Sequence, residues 1–480
     1  MKFDIVINNG NVVFPDRIQN TDIAIKDGSI FELGKIDPSK GKTKFDAKGL
    51  HILPGIIDSQ VHFREPGMIH KEDFFTGSKA AALGGVTCVF EMPNTSPPTT
   101  NKDAILNKFE RAKNRMWVDH AFFVGANEDN IDKLNILENQ PGCVGIKVFM
   151  GSSTGSLLIP NDDSLLKIFK NGKRRIAVHA EDEYRLNTRY KEIKKFQGAE
   201  FHPIWRDSLT AMNATKRIIK IAKECNRPLH LLHITTKEEI EILKNYKDIV
   251  TVEVTPQHLT LESPNCYNDL GTLAQMNPPI REKHHQDGLW KGIQDGIVDV
   301  IGSDHAPHNL DEKSKPWPES PSGMPGVQTI LPIMLDHVYK GKLSIIKLSK
   351  MLSTTPAKIY GLKRKGEIKV SNDADLSIVD LNAQYMIKNE DMATKCGWTP
   401  FNKKITLIKL FMTGRENRTP LESNNLRLLL VATFLHICLF IDGARINGAV
   451  VARQRVVNRS SARPPANLAI KSAVAGATKT

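Results

Sequence analysis

Leu53-Pro54-Gly55-Ile56-Ile57-Asp58-Ser59-Gln60-Val61-His62-Phe63-Arg64-Glu65-Pro66-Gly67 is the stretch that decides the fold. It opens as a buried strand, apolar through Ile56 and Ile57. Polar groups then fall at alternate positions, Asp58, Gln60, His62 and Arg64, which the period-two geometry of a strand turns to one face. Converging polar side chains at the end of an apolar strand make poor core and a good site. Glu65-Pro66-Gly67 turns the chain out of the strand. Taken alone, the stretch also fits an edge strand with a solvated face. The rest of the chain weighs against that.

Working outward, eight apolar runs read as strands: Leu53–His62, Val86–Met92, Val118–Gly125, Val144–Met150, Ile176–His179, Leu229–His233, Val250–Val254 and Val298–Ser303. Helical patterns such as Lys102–Arg115, Asp207–Cys225 and Lys237–Tyr246 fall between most of them. Eight β/α repeats over about 300 residues predict an α/β fold of the (β/α)8 TIM-type barrel. An open doubly wound sheet is the alternative, but no glycine-rich phosphate loop follows any strand.

Metal-capable residues sit where barrel strands end. His62 ends the first strand, Lys147 lies in the fourth, His179 ends the fifth, His233 the sixth, and Asp304 follows the eighth. In a barrel these ends converge on one face. A lone histidine beside a strand is usually a satisfied polar residue, but such groups on five strands point to a metal site.

Before the barrel, short β patterns alternate with turns, and Asp27-Gly28 is a hairpin signal. After it, Lys365-Gly366-Glu367-Ile368 and Asp373–Asp380 read as strands again. The expected organisation is a small β domain split around the barrel: residues 1–51, then the barrel over 52–365, then 366–412, followed by an atypical tail over 413–480. In that tail Leu428–Ile441 is apolar but short for a membrane span. Ser460–Ala475 is rich in small residues and reads as disordered, and the shift from lysine to arginine usage suggests a frameshift or fusion product.

The net charge of +13 would suggest nucleic acid, but after Gly414 ten basic residues face three acidic ones, so about half the excess lies in the tail. No basic, aromatic-interleaved stripe appears in the body, so no nucleic-acid partner is expected, and no membrane partner either. The six cysteines are scattered and the N-terminus lacks a signal peptide, which together predict reduced thiols and a cytoplasmic location.

Several motifs resemble the amidohydrolase superfamily and, within it, the dihydroorotases. They are Asp58–Gly67, Glu91-Met92-Pro93-Asn94-Thr95, Gly145–Met150, Val178-His179-Ala180-Glu181, Leu232-His233-Ile234-Thr235, Met276–Arg281 and Ser303-Asp304-His305-Ala306-Pro307-His308. The resemblance spans about residues 3 to 405. It implies that carbon dioxide carboxylates Lys147, which then bridges two divalent ions, usually Zn2+. His179 and His233 would complete one metal site, and His62 and Asp304 the other. A bridging hydroxide would attack the ring amide, with Asp304 as the catalytic proton shuttle. Arg64, Asn94, Asn277 and His308 would bind the ring carboxylate of dihydroorotate, a task suited to a planar guanidinium. The implied reaction is reversible ring closure of N-carbamoyl-L-aspartate in pyrimidine biosynthesis, by a homo-oligomer acting on a small molecule.

Two departures qualify this. Gln60 stands where the family has a first histidine ligand, and an amide is a weak zinc ligand, so one tightly bound ion is expected. The Ser322–Gln328 segment and the single histidine of Pro256-Gln257-His258 lean toward allantoinases. The alternatives are therefore an allantoinase- or hydantoinase-type cyclic amidase, or an impaired scaffold subunit associated with aspartate transcarbamoylase.

Overall fold

The computed structural model describes residues 2–152, 157–406 and 409–414, so the expectations for the apolar run and the small-residue stretch of the tail fall outside it. Five strands come first: β1 (Phe3–Val13), β2 (Ile18–Lys26), β3 (Ser29–Gly34), β4 (Gly41–Asp46) and β5 (His51–Pro54). Eight follow: β6 (Ile56–Val61), β7 (Val86–Glu91), β8 (Asp119–Gly125), β9 (Cys143–Phe149), β10 (Ile176–His179), β11 (Leu229–Leu231), β12 (Val250–Val254) and β13 (Val300–Ile301). The last are β14 (Leu376–Asp380), β15 (Tyr385–Met386), β16 (Ile405–Thr406) and β17 (Lys409–Gly414).

β6 to β13 pair in parallel in chain order. They are almost wholly buried and largely apolar, because both faces of the sheet are covered, and polar residues such as Asp58, Gln60, Lys147 and Glu253 interrupt them. Val89, Ile146, Val178 and Val252 belong to the main core, shared with helix residues such as Ile218 and Leu289. Ile57, Cys88, Phe90, Ala121 and Phe123 form a separate cluster with Tyr360, whose ring meets Phe90 edge-on at 4.9 Å. The sheet closes where β6 and β13 end: His62 N donates to His305 O at 2.7 Å, and Ser303 N donates to Asp58 Oδ1 at 3.0 Å. The predicted barrel is thus the observed one.

Three helices fall where their patterns place them. Lys102–Ala112, Ser208–Glu224 and Lys237–Leu243 begin after Asn101, Asp207 and Thr236, each of whose side chains accepts a first-turn backbone N–H. Among the described residues no helix is long and apolar enough to cross a membrane.

The second sheet runs β17-β14-β5-β1-β2-β3, with β4 on β1, so strands from both sides of the barrel share it. Ile5, Ile7, Ile23, Ile52, Leu376 and Ile378 make its core. Two expectations are corrected here. Leu53–His62 is not one strand: β5 pairs with β14, and β6 starts the barrel after Gly55. A Cβ on Gly55 would fall on Thr87 Oγ1 and lie 2.8 Å from Asp375 Cβ, so the crossing between sheets leaves no room for a side chain. Lys365–Ile368 is not a strand either. Its lysine turns inward to pair with Asp375, with Asp119 at 2.6 Å and with Asp373 at 3.4 Å, which pulls the backbone off a sheet path.

Beyond β14 the chain returns to the barrel. β15 and β16 pair with each other, Ile387 and Phe401 pack on Ile333, and Trp398 joins Met276, Ile280 and Met324.

Candidate active site

The end of β6 does not keep the simple alternation expected of it. Pairing with β7 slips between Asp58 and Val61. Asp58 consequently caps Ser303, while Ser59 reaches inward to Glu253 Oε2. Gln60 and His62 both meet Asp304: Gln60 Nε2 donates to Oδ1 at 2.8 Å, and His62 Nε2 lies 3.2 Å from the same oxygen. His62 Nδ1 is fixed by Asn94 Oδ1 at 2.7 Å. Burial alone would raise the Asp304 carboxyl, but the bond and charge of His62, with the charge of Lys147, hold it below its ordinary range.

Across the mouth, His179 Nδ1 and His233 Nε2 stand 3.0 Å apart. Glu181, to which its motif assigns no role, holds His179 Nε2 at 2.9 Å and is itself held by Arg206 at 3.3 Å. A carboxylate behind an imidazole fixes its tautomer and raises its basicity as a ligand. Lys147 lies electrostatically between the two halves, felt by Asp304, His62, His179 and His233 alike. Its Nζ is fully buried with no hydrogen-bond partner among the described residues, 4.4 Å from the Phe149 ring centroid. Burial without an acceptor pushes that amine down to about 7.

The third group surrounds Arg64, which is 2% exposed. Its Nε donates to Pro307 O at 3.2 Å and its Nη2 lies 3.2 Å from His308 Nε2. His308 is anchored through its backbone carbonyl, which accepts from Trp398 Nε1 at 2.8 Å. Burial lowers the guanidinium to about 10, with Asp304 and Glu91 opposing. Asn277 stands one step away: its Oδ1 meets His202 Nε2 at 3.0 Å, and Ser322 links His202 to His308. Arg64, His233 and Asp304 all hold left-handed backbone, with φ of 63°, 45° and 43°. Such strain, about 1–3 kcal/mol per residue, persists where the surroundings over-determine it and gathers at working sites.

His62, Lys147, His179, His233, Asp304, Arg64, Asn94 and His308 thus gather at one end of the barrel, with Asn277 at its edge. Lys71, which reaches His308, and Glu181, His202, Glu253 and Trp398 join them, none with a role that the motifs assign. Glu181 had a signal, lying two residues beyond a strand-end histidine. A separate trio on two neighbouring helices, Glu238, His284 and His285, also brings ligand atoms within 4.8 Å of one another. There His285 Nδ1 already accepts Lys237 N–H at 3.2 Å, and the positive first turns of both helices oppose a cation.

Residues 51–416 match the model of the Amidohydrolase family. The chain is 36% identical over 413 residues to a dihydroorotase of Methanosarcina mazei, covering 83% of this chain and 90% of that protein. It is 32% identical over 417 residues to an allantoinase of Escherichia coli, covering 84% and 91%. Among solved structures, the L-hydantoinase (dihydropyrimidinase) of Arthrobacter aurescens superposes with a TM-score of 0.83 at 27% identity, covering 89% of this chain and 98% of that one.

Proposed function

The chain belongs to the amidohydrolase family and is a hydrolase of cyclic amides; within that class we propose that it interconverts dihydroorotate and N-carbamoyl-L-aspartate. The observation that carries this reading is Arg64. A guanidinium is buried at the barrel mouth, pinned through Nε to a backbone oxygen, with its Nη2 beside His308. Burying that charge is costly unless an anion arrives to pair with it. A ring carboxylate supplies that anion, and allantoin and unsubstituted hydantoins lack one.

The residues present fit a divalent metal. Three imidazoles and the Asp304 carboxylate converge, and both Lys147 Nζ and Gln60 Oε1 are buried without partners. His62, Lys147, His179, His233 and Asp304 would hold the ion, with Lys147 carboxylated so that an amine lacking any acceptor becomes an anionic oxygen donor. Bound there, a divalent ion, in our reading Zn2+, supplies Lewis-acid polarisation and an acidic water. Asp304, ionised at neutral pH, takes the proton of the attacking water and returns it to the leaving ring nitrogen. Gln60 Nε2 steers its Oδ1. Arg64 and His308 hold the carboxylate so that the ring carbonyl faces this group. We place the reaction in pyrimidine synthesis, in the cytoplasm, and in a homo-oligomer. An impaired scaffold paired with aspartate transcarbamoylase is disfavoured by a site missing only one of the expected ligands.

A second reading, allantoin or a hydantoin as substrate, draws on Ser322–Gln328 and on the hydantoinase-like architecture. Initial rates with dihydroorotate, allantoin and hydantoin decide between them. Dihydroorotate should be preferred, and Arg64→Met should lower its kcat/KM on the order of a hundredfold with metal content unchanged. Faster turnover of allantoin by the unmodified protein overturns the substrate assignment.

A further inference from the structure

The loop after β6 brings a second cation to the Arg64 pocket. Lys71 is largely buried, with 12% of its side chain exposed. Its Nζ lies 2.9 Å from Glu312 Oε1 and 3.1 Å from His308 Nδ1. An ammonium only donates, so His308 Nδ1 must accept, and the ring proton must sit on Nε2. Nε2–H has its own acceptor, Ser322 O, at 3.2 Å. Arg64 Nη2, also 3.2 Å from Nε2, therefore faces an N–H and not a lone pair. Two donors stand side by side there. Among the described residues Pro307 O is the one hydrogen-bond acceptor of the guanidinium, and it takes Nε.

We propose that Lys71 is a positioning residue for anion recognition: by fixing the Nε2–H tautomer of His308, whose proton goes to Ser322 O, it denies Arg64 Nη2 an internal acceptor and keeps that guanidinium donor for the substrate carboxylate. This rests on the reading of the substrate given above. Without Lys71 the imidazole is free to carry its proton on Nδ1. Its Nε2 lone pair would then accept from Arg64, and the pocket would satisfy itself internally. The side chain works through His308 and never touches the reacting atoms.

Three measurements on the full chain test this. Long-range nitrogen–proton correlation spectra of imidazole-labelled protein should give His308 the Nε2–H pattern, turning to Nδ1–H in Lys71→Met. Lys71→Met should raise KM for dihydroorotate about tenfold or more, with kcat changed far less. Lys71→Arg should recover part of that loss. Dihydrouracil, the same ring without the carboxylate, is compared as substrate or competitive inhibitor, and its affinity should respond far less. Equal losses for both ligands would mean a merely structural role and overturn the proposal, as would an Nδ1–H pattern in the unmodified protein. If the unmodified protein leaves dihydroorotate untouched, the substrate reading falls. The tautomer pattern then still decides for or against Lys71.

Discussion

Gln60 brings two unlike atoms into one buried space. Its Nε2 donates to Asp304, and turning the amide over would set an oxygen against a carboxylate, so the orientation is fixed by chemistry. Its Oε1 is left buried without a partner. That oxygen can face an ion, but as a neutral amide it competes poorly with an imidazole. The unmodified protein should therefore bind about one ion tightly, and Gln60→His should raise the content toward two, with higher turnover. Metal emission spectroscopy after dialysis checks this, and two tight ions in the unmodified protein would contradict it. At this scale the sequence was informative where chemistry and position coincide. His179 ends β10, and His62, His233 and Asp304 follow closely on β6, β11 and β13, and few other side chains do what they do. Lys71 and Trp398 left no such trace, because a lysine or tryptophan in a loop gains its role only from what the fold sets beside it.

Among the elements, the join between β5 and β6 is the most constrained. Gly55 hands the chain from one sheet to the other, and its N–H donates to Asp375 O at 2.7 Å. Gly55→Ala would drive a methyl into Thr87 and Asp375 and should cost about 1–3 kcal/mol of stability. A lowered unfolding midpoint with near-normal activity per folded molecule is expected, and an unchanged midpoint would refute the packing argument. This join also marks the limit of pattern reading. The run from Leu53 to Ile57 is apolar on both sides of the glycine, so periodicity alone sees a single strand. Barrel strands were legible because double-sided burial demands short, largely apolar runs. Lys365–Ile368 differs from its pattern because its lysine answers to Asp373 and Asp375, which reach it when the chain folds back, and to Asp119, which only the barrel brings beside it. The return of residues 385–406 to the barrel left no periodic signal either, since β15 and β16 pair over just two residues each.

For the molecule as a whole, two sheets share one continuous chain, and the barrel is the one that must close. Its last strand is short: β13 pairs with β12 over two residues. Its contacts with β6 are few and lie at the mouth, through His62, Val61 and His305, with Asp58 on Ser303. The Gln60 and His62 contacts to Asp304 cross the same gap. The cylinder is thus a row of staves whose final seam is stitched by the residues that do the chemistry. An ion or substrate spanning that seam acts as a clasp, and at a hundred times its Kd such a ligand adds about 2.7 kcal/mol to stability. Adding Zn2+ to metal-free protein should raise the unfolding midpoint. Amide exchange should slow first at Val61–His62 and Ser303–His305, and uniform slowing across the barrel would argue against a clasp. It follows that weak variants at this seam lose shape and activity together, and only a measurement of each can say which was lost first.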